Sequence, residues 1–115
     1  MERFGKGIRY YDVICHNGVL YLSGVTATEA GDTIAMQAGA VLAKIEETLK
    51  AHGSSKGSIL HADVYLRNAE DVAAFNTEWD RWINTETAPT RALMVTRLGR
   101  EPILVEIVIT AACDS

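Results

Sequence analysis

The 115-residue chain contains two prolines, two cysteines and three histidines, and each scarcity removes a class of protein. Cys15 and Cys113 lie near opposite ends, in apolar and strand-like surroundings, with no Cys-x-x-Cys spacing. They read as reduced core thiols, not as a disulfide framework or a metal site. His16, His52 and His61 show no metal-ligand spacing, so no metal is expected. No apolar run approaches the roughly eighteen residues that a membrane-spanning helix needs. The opening MERFGKGIRYYD carries charges but no apolar segment, so no signal peptide is expected. Eleven basic residues stand against fifteen acidic ones, for a net charge of −4, and no Lys/Arg cluster appears. Phosphate binding requires a concentrated basic face, so nucleic acid is an unfavoured partner. Repeats, low-complexity segments and linkers are also missing. One cytoplasmic globular domain spanning 1–115 is the expectation.

What is present is a pattern of alternating elements. IRYYDVICHNGVLYLSGV reads as a β-hairpin, with strands over 8–15 and 19–25 and His16-Asn17-Gly18 as its turn. An amphipathic helix follows from about Thr33 to His52, with Ile34, Ala38, Val41, Ile45 and Leu49 on one stripe. Asp32 or Thr33 can cap its start, and Gly53 can end it. In SILHADVYL the period is two: Leu60, Ala62, Val64 and Leu66 face one way, His61, Asp63 and Tyr65 the other. A second helix begins at Asn68 as N-cap and buries Val72, Phe75, Trp79 and Trp82. TRALMVTR and ILVEIVIT close the chain as strands, joined through LGREP, whose Gly and Pro mark a turn. The order ββαβαββ makes an α+β domain. Two helices cover one face of a five- or six-stranded sheet, so the apolar second face calls for another copy of the chain.

ILVEIVIT, residues 103–110, reads as a strand buried on both faces except for Glu106. A buried carboxylate requires a cation or strong donors. Arg91, at the start of the preceding strand, is the nearest candidate. In a hairpin turning between Leu98 and Gly99, residues 91 and 106 lie opposite one another on one face. Turning on Arg100, it sends them to opposite faces; a bulge near Gly99 shifts the register again, and a meeting across subunits is the further alternative. A structural ion pair, or a Glu at a solvated edge, satisfies these residues. So does a site in which Arg91 grips a substrate carboxylate and Glu106 handles a water.

APTRALMVTRLGREPILVEI resembles the C-terminal signature of the RidA/YjgF family of reactive-intermediate deaminases, in which Pro-x-Arg is followed fifteen residues after the Arg by Glu in an apolar strand. LYLSG matches the family's apolar-Ser-Gly segment, and AFNTEWDRWI its second helix with a recurring Asn. EWDRWI with APTR looks most like the short bacterial YoaB-type members. The resemblance implies a chorismate-mutase-like fold, a mixed sheet with two helices on one face, and a homotrimer with clefts at the subunit interfaces. It implies hydrolysis of enamines and imines related to 2-aminoacrylate, giving 2-keto acids and ammonia without a cofactor. Carried across, Arg91 holds the substrate carboxylate and Glu106 places water. Ser23, Gly24 and the backbone near Leu93 line the cleft, Tyr10 borders it, and Asn76 occupies the recurring Asn position.

Two departures qualify the match. Leu93 stands where the family often has Cys, and the family's N-terminal Gly-Pro-Tyr element is absent. On residue type alone, Ser23 more often serves the backbone. His61, Asp63 and Tyr65 suit a polar subunit contact, and Trp79 and Trp82 suit core. Non-catalytic capture of a small carboxylate is the alternative function. RNA cleavage, attributed to some relatives, fits poorly with the acidic charge.

Overall fold

The computed structural model describes residues 1–113. Among them, six strands and two long helices run in the order β1 (Glu2–Lys6), β2 (Tyr11–His16), β3 (Val19–Leu22), α1 (Ile34–Ala51), β4 (Ile59–Leu66), α2 (Val72–Trp82), β5 (Thr90–Val95) and β6 (Val105–Ala112). They form one mixed sheet in the order β1-β2-β3-β6-β4-β5, with both helices on the same face. No helix among the described residues is long and apolar enough to cross a membrane.

Local chemistry accounts for several boundaries. Asn17 and Gly18 both take positive φ (51° and 77°), the requirement of a two-residue hairpin turn whose twist matches its strands, here β2 and β3. Thr33 caps α1 by accepting from the Met36 N–H at 3.2 Å. At the other end Gly53 is left-handed (φ 74°), and the Ser54 N–H reaches back to the Leu49 carbonyl at 2.9 Å. The stripe Ile34, Ala38, Val41, Ile45 and Leu49 is buried as the spacing predicts, and Gln37 is buried with it. Phe75 and Trp79 bury the inner side of α2. Cys15 and Cys113 face each other as thiols, their sulfurs in hydrogen-bond contact at 3.4 Å.

Four expectations are corrected. A strand precedes the hairpin: β1 pairs with β2 antiparallel, and its Phe4 meets His52 edge-on at 4.7 Å. Its five residues are all exposed and include Gly5, so they carry no apolar alternation to reveal it. In β4, the pairing with β6 slips between Ile59 and His61. Leu60 is the extra residue and is exposed, so it does not share the face of Ala62. At α2 the entry is a short 3-10 turn over Ala69–Asp71, and the Asn68 side chain bonds to the Asp71 carboxylate instead of capping the backbone.

The fourth correction matters most for the site. TRALMVTR and ILVEIVIT do not form a hairpin, because β4 lies between them, parallel to β5 and antiparallel to β6. The β4–α2–β5 unit is a crossover connection, which is what parallel neighbours require. The segment from 96 to 104 then runs along the end of the sheet instead of turning tightly. Two side chains hold it. Arg67 donates from Nε to the Ile103 carbonyl (2.8 Å) and from Nη2 to the carbonyls of Leu98 (3.1 Å) and Arg100. Gln37, 1% exposed, donates to the carbonyls of Gly31 (2.9 Å) and Pro102 (2.8 Å) and accepts from the Leu104 N–H (3.0 Å).

β6 is covered on one face only. Val105, Ile107, Ile109 and Ala111 are buried against the helices, whereas Glu106, Val108, Thr110 and Ala112 are half-buried on the open face. Glu106 is therefore not a carboxylate sealed in a core.

Candidate functional site

Register decides what each strand residue can reach. Glu106 pairs with Tyr65, and Arg91 pairs with Ala62. Tyr65 and Ala62 are three residues apart on β4 and so point to opposite faces. Arg91 belongs to the helix side, Glu106 to the open side. Two strand spacings, about 10 Å, also separate them across the sheet. Neither hairpin register describes their relation, and the two side chains do not meet within one chain.

Each is instead the centre of its own cluster. On the open side, the segment from Ser23 to Val25 runs beside Glu106, fixed by reciprocal backbone bonds between Val25 and Ile107 (2.9 and 3.1 Å). A hollow of about 420 Å³ forms there, lined by Tyr10, Ser23, Gly24, Thr26, Ile103 and Arg100 around the Glu106 side chain. The last three are residues for which the sequence offered no signal; the folded 96–104 segment brings two of them in. Ser23 Oγ donates to the Tyr11 carbonyl at 2.7 Å, so its hydrogen serves the backbone, while its oxygen can still accept. Among the described residues Glu106 makes no ion pair.

Gly24 is what permits this approach. A Cβ built on it would overlap Glu106 Oε2 and lie 2.8 Å from the carboxyl carbon. The obstructed group is the end of a flexible side chain, so Gly24→Ala should fold with a melting temperature within a few degrees of wild type. It should also swing the carboxylate out of place. Any activity that depends on Glu106 is expected to fall about tenfold or more, the size of a misplacement effect. A crystal structure of the variant with Glu106 unmoved would contradict this.

A second hollow of about 420 Å³ shares Tyr10, Ser23, Gly24 and Thr26 and continues toward α1. There Lys44 donates to the Thr26 carbonyl (2.9 Å) and pairs with Glu29. Its hydrogen bond holds the Glu29 carboxyl below the ordinary value. That contribution is present above the ordinary carboxylate range and is lost as pH falls through the lowered value.

The other cluster lies at the exposed edge strand. Arg91 donates from Nη1 to Asn76 Oδ1 at 2.9 Å, and its guanidinium lies 5.2 Å from the centre of the Trp79 ring. Leu93, two residues on, shares the Arg91 face and packs against the core through its register partner Val64. Thus Tyr10, Ser23 and Gly24 come together with Glu106, while Asn76 and Leu93 go with Arg91. Trp79 is 6% exposed, in keeping with a core role. Trp82 packs beside it at 5.7 Å, and its Nε1 donates to Glu46 at 3.2 Å. His61 bonds to Thr90 Oγ1 (2.7 Å) and Asp63 Oδ1 (2.9 Å) on the open face. No group of three or more His, Cys, Asp or Glu side chains suited to a metal occurs among the described residues.

Residues 2–113 match the family model described as Endoribonuclease L-PSP. The chain is 38% identical over 110 residues to the RutC family protein YoaB of Escherichia coli K12, covering 96% of each. It is 38% identical over 106 residues to a RutC family protein of Haemophilus ducreyi, covering 92% of this chain and 91% of that one. Among solved structures, NMB1025 of Neisseria meningitidis, a member of the YjgF protein family, superposes with a TM-score of 0.94 at 39% identity. That match covers 99% of this chain and 95% of the other.

Proposed function

This chain belongs to the Endoribonuclease L-PSP (YjgF) family, and on that premise we propose that it hydrolyses reactive enamines and imines of the 2-aminoacrylate kind to 2-keto acids and ammonia. The observation that carries the reading is the division of the site into two incomplete halves. One half has a carboxylate beside a hollow that Arg100 also lines, the other a guanidinium at a sheet edge, and among the described residues neither Glu106 nor Arg91 makes an ion pair. A second copy seated on the open sheet face supplies what each lacks, and we infer a homotrimer with three interfacial clefts, each taking Arg91 from one protomer and Glu106 from the next.

In such a cleft Arg91 takes the substrate carboxylate through two parallel N–H donors. That fixes the neighbouring C=N carbon over Glu106. The enamine first tautomerises to the imine by protonation at carbon. Glu106 accepts a proton from a water as the water oxygen bonds to the imine carbon. Glu106 returns that proton to nitrogen, giving the carbinolamine, and the hydroxyl proton follows it as the C–N bond breaks, so ammonia leaves as the carbonyl forms. Holding carboxylate, water and base together supplies most of what an already electrophilic imine requires. Leu93 in place of the family's frequent Cys leaves an apolar wall, and no step here draws on a thiol.

The direct test supplies fresh 2-aminoacrylate, generated in situ from serine by a dehydratase, and follows keto acid and ammonia. Release well above the spontaneous rate is expected; a rate unchanged by the purified protein would sink the proposal.

A further inference from the structure

Arg91 is held in place by partners that carry no charge. One is the Asn76 amide oxygen, 2.9 Å from Nη1; the other is the Trp79 ring, 5.2 Å from the guanidinium carbon. Both come from α2, three residues apart and hence on one face of the helix. Among the described residues no ion pair includes Arg91. Carboxylates are close by in sequence, yet Glu78 is paired with Arg81 at 2.9 Å and the exposed Asp80 makes no ion pair. The indole is itself fixed, packed between Phe75 at 6.2 Å and Trp82 at 5.7 Å.

We propose that Asn76 and Trp79 are positioning residues that form a charge-neutral cradle, orienting Arg91 while leaving its positive charge uncompensated. The inference deepens the deaminase reading and rests on it for the identity of the ligand, a small 2-keto or 2-imino carboxylate. An amide oxygen takes one of the five guanidinium N–H groups and fixes the fork's rotation. The ring face attracts the cation without neutralising it. The Nε–Nη2 edge then remains for two parallel bonds to a carboxylate, the geometry for which a guanidinium is suited. An acidic residue at 76 would hold the side chain equally well and occupy the charge that the substrate needs.

Asn76→Asp separates this role from a structural one, because the two predict opposite outcomes. The variant keeps the shape and adds an ion partner, so its melting temperature should equal or exceed that of wild type. Its affinity for 2-ketobutyrate, measured by titration calorimetry, should nonetheless fall roughly tenfold or more, since a fixed carboxylate now competes for the fork. Asn76→Ala should weaken binding less, about threefold, by releasing the rotation alone. Wild-type affinity in Asn76→Asp overturns the proposal. The Arg91 Nε–Hε resonance, assigned by its loss in Arg91→Lys, gives a readout independent of ligand. It should be displaced from the other arginines by the indole ring current and return toward them in Trp79→Leu. If wild type binds no keto acid, this resonance still decides. A displaced signal keeps the cradle and removes the deaminase reading; an undisplaced one removes the cradle.

Discussion

Protomers carrying Arg91→Ala and protomers carrying Glu106→Gln, each inactive alone, should regain about a quarter of wild-type activity when mixed in equal amounts and reassembled. The number follows from geometry. Arg91 and Glu106 occupy opposite faces and different strands of the same sheet, with β4 between them. A functional cleft that uses both must therefore take them from two copies. In a closed ring each cleft draws its Arg from one protomer and its Glu from the next. With random mixing, an intact Arg meets an intact Glu in about one cleft in four. Each single variant is expected to lose on the order of 10²–10³ in kcat/KM, the scale of removing one partner of a desolvated charge-assisted pair. Arg91→Lys should recover little, because an ammonium cannot present two parallel donors to one carboxylate. Inactive mixtures at every ratio, with mixed oligomers verified by native mass spectrometry, would refute the shared cleft.

That prediction depends on a feature the sequence did not show. Asn17-Gly18, the Thr33 cap, the α1 stripe and Gly53 were legible because each is settled within a few residues. The relation of Arg91 to Glu106 was not, because it depends on which strands become neighbours. Gly99 and Pro102 carry ordinary turn chemistry and suggest a hairpin. Their segment turns nonetheless, but over a longer path around the end of β4, under the hold of Arg67 and Gln37. β1 leaves no apolar alternation in the sequence because none of its residues is buried. Glu106 stands out by residue type in its apolar strand, Tyr10, Ser23 and Gly24 only through a family pattern, and their convergence on one hollow is a geometric fact that neither contains. Arg100 and Ile103 reach that hollow only through the folded path of the 96–104 segment, so no spacing in the sequence pointed to them. Gln37 did leave a trace: it interrupts the apolar stripe of α1 at a position that faces the core, where a polar side chain requires buried partners.

Those partners make Gln37→Leu the substitution with the largest expected effect on stability. The amide satisfies the carbonyls of Gly31 and Pro102 and the N–H of Leu104, tying the start of α1 to the segment that leads into β6. Leucine has similar bulk but no polar atoms, so three backbone groups lose their partner at once. At about 1–3 kcal/mol for each group left unsatisfied, and with water reaching the less buried ones, a net loss of roughly 2–4 kcal/mol is expected. For a chain of this size that corresponds to a melting temperature lower by about 10–15 °C. Gln37→Glu sharpens the test through its dependence on pH. An ionised carboxylate can still accept from Leu104 but would face two carbonyls, so the folded protein favours the protonated acid and raises its pKa above the unfolded value. The unfolded chain then gives up its proton first. Stability should match or exceed that of the leucine variant in acid and fall as pH rises from the unfolded pKa toward the raised folded one. Glu106 lies two residues beyond Leu104, so loosening this anchor should also reduce carboxylate-dependent activity at temperatures where the variant is still folded. A Gln37→Leu protein that melts with wild type would mean that the segment between β5 and β6 is held by Arg67 alone.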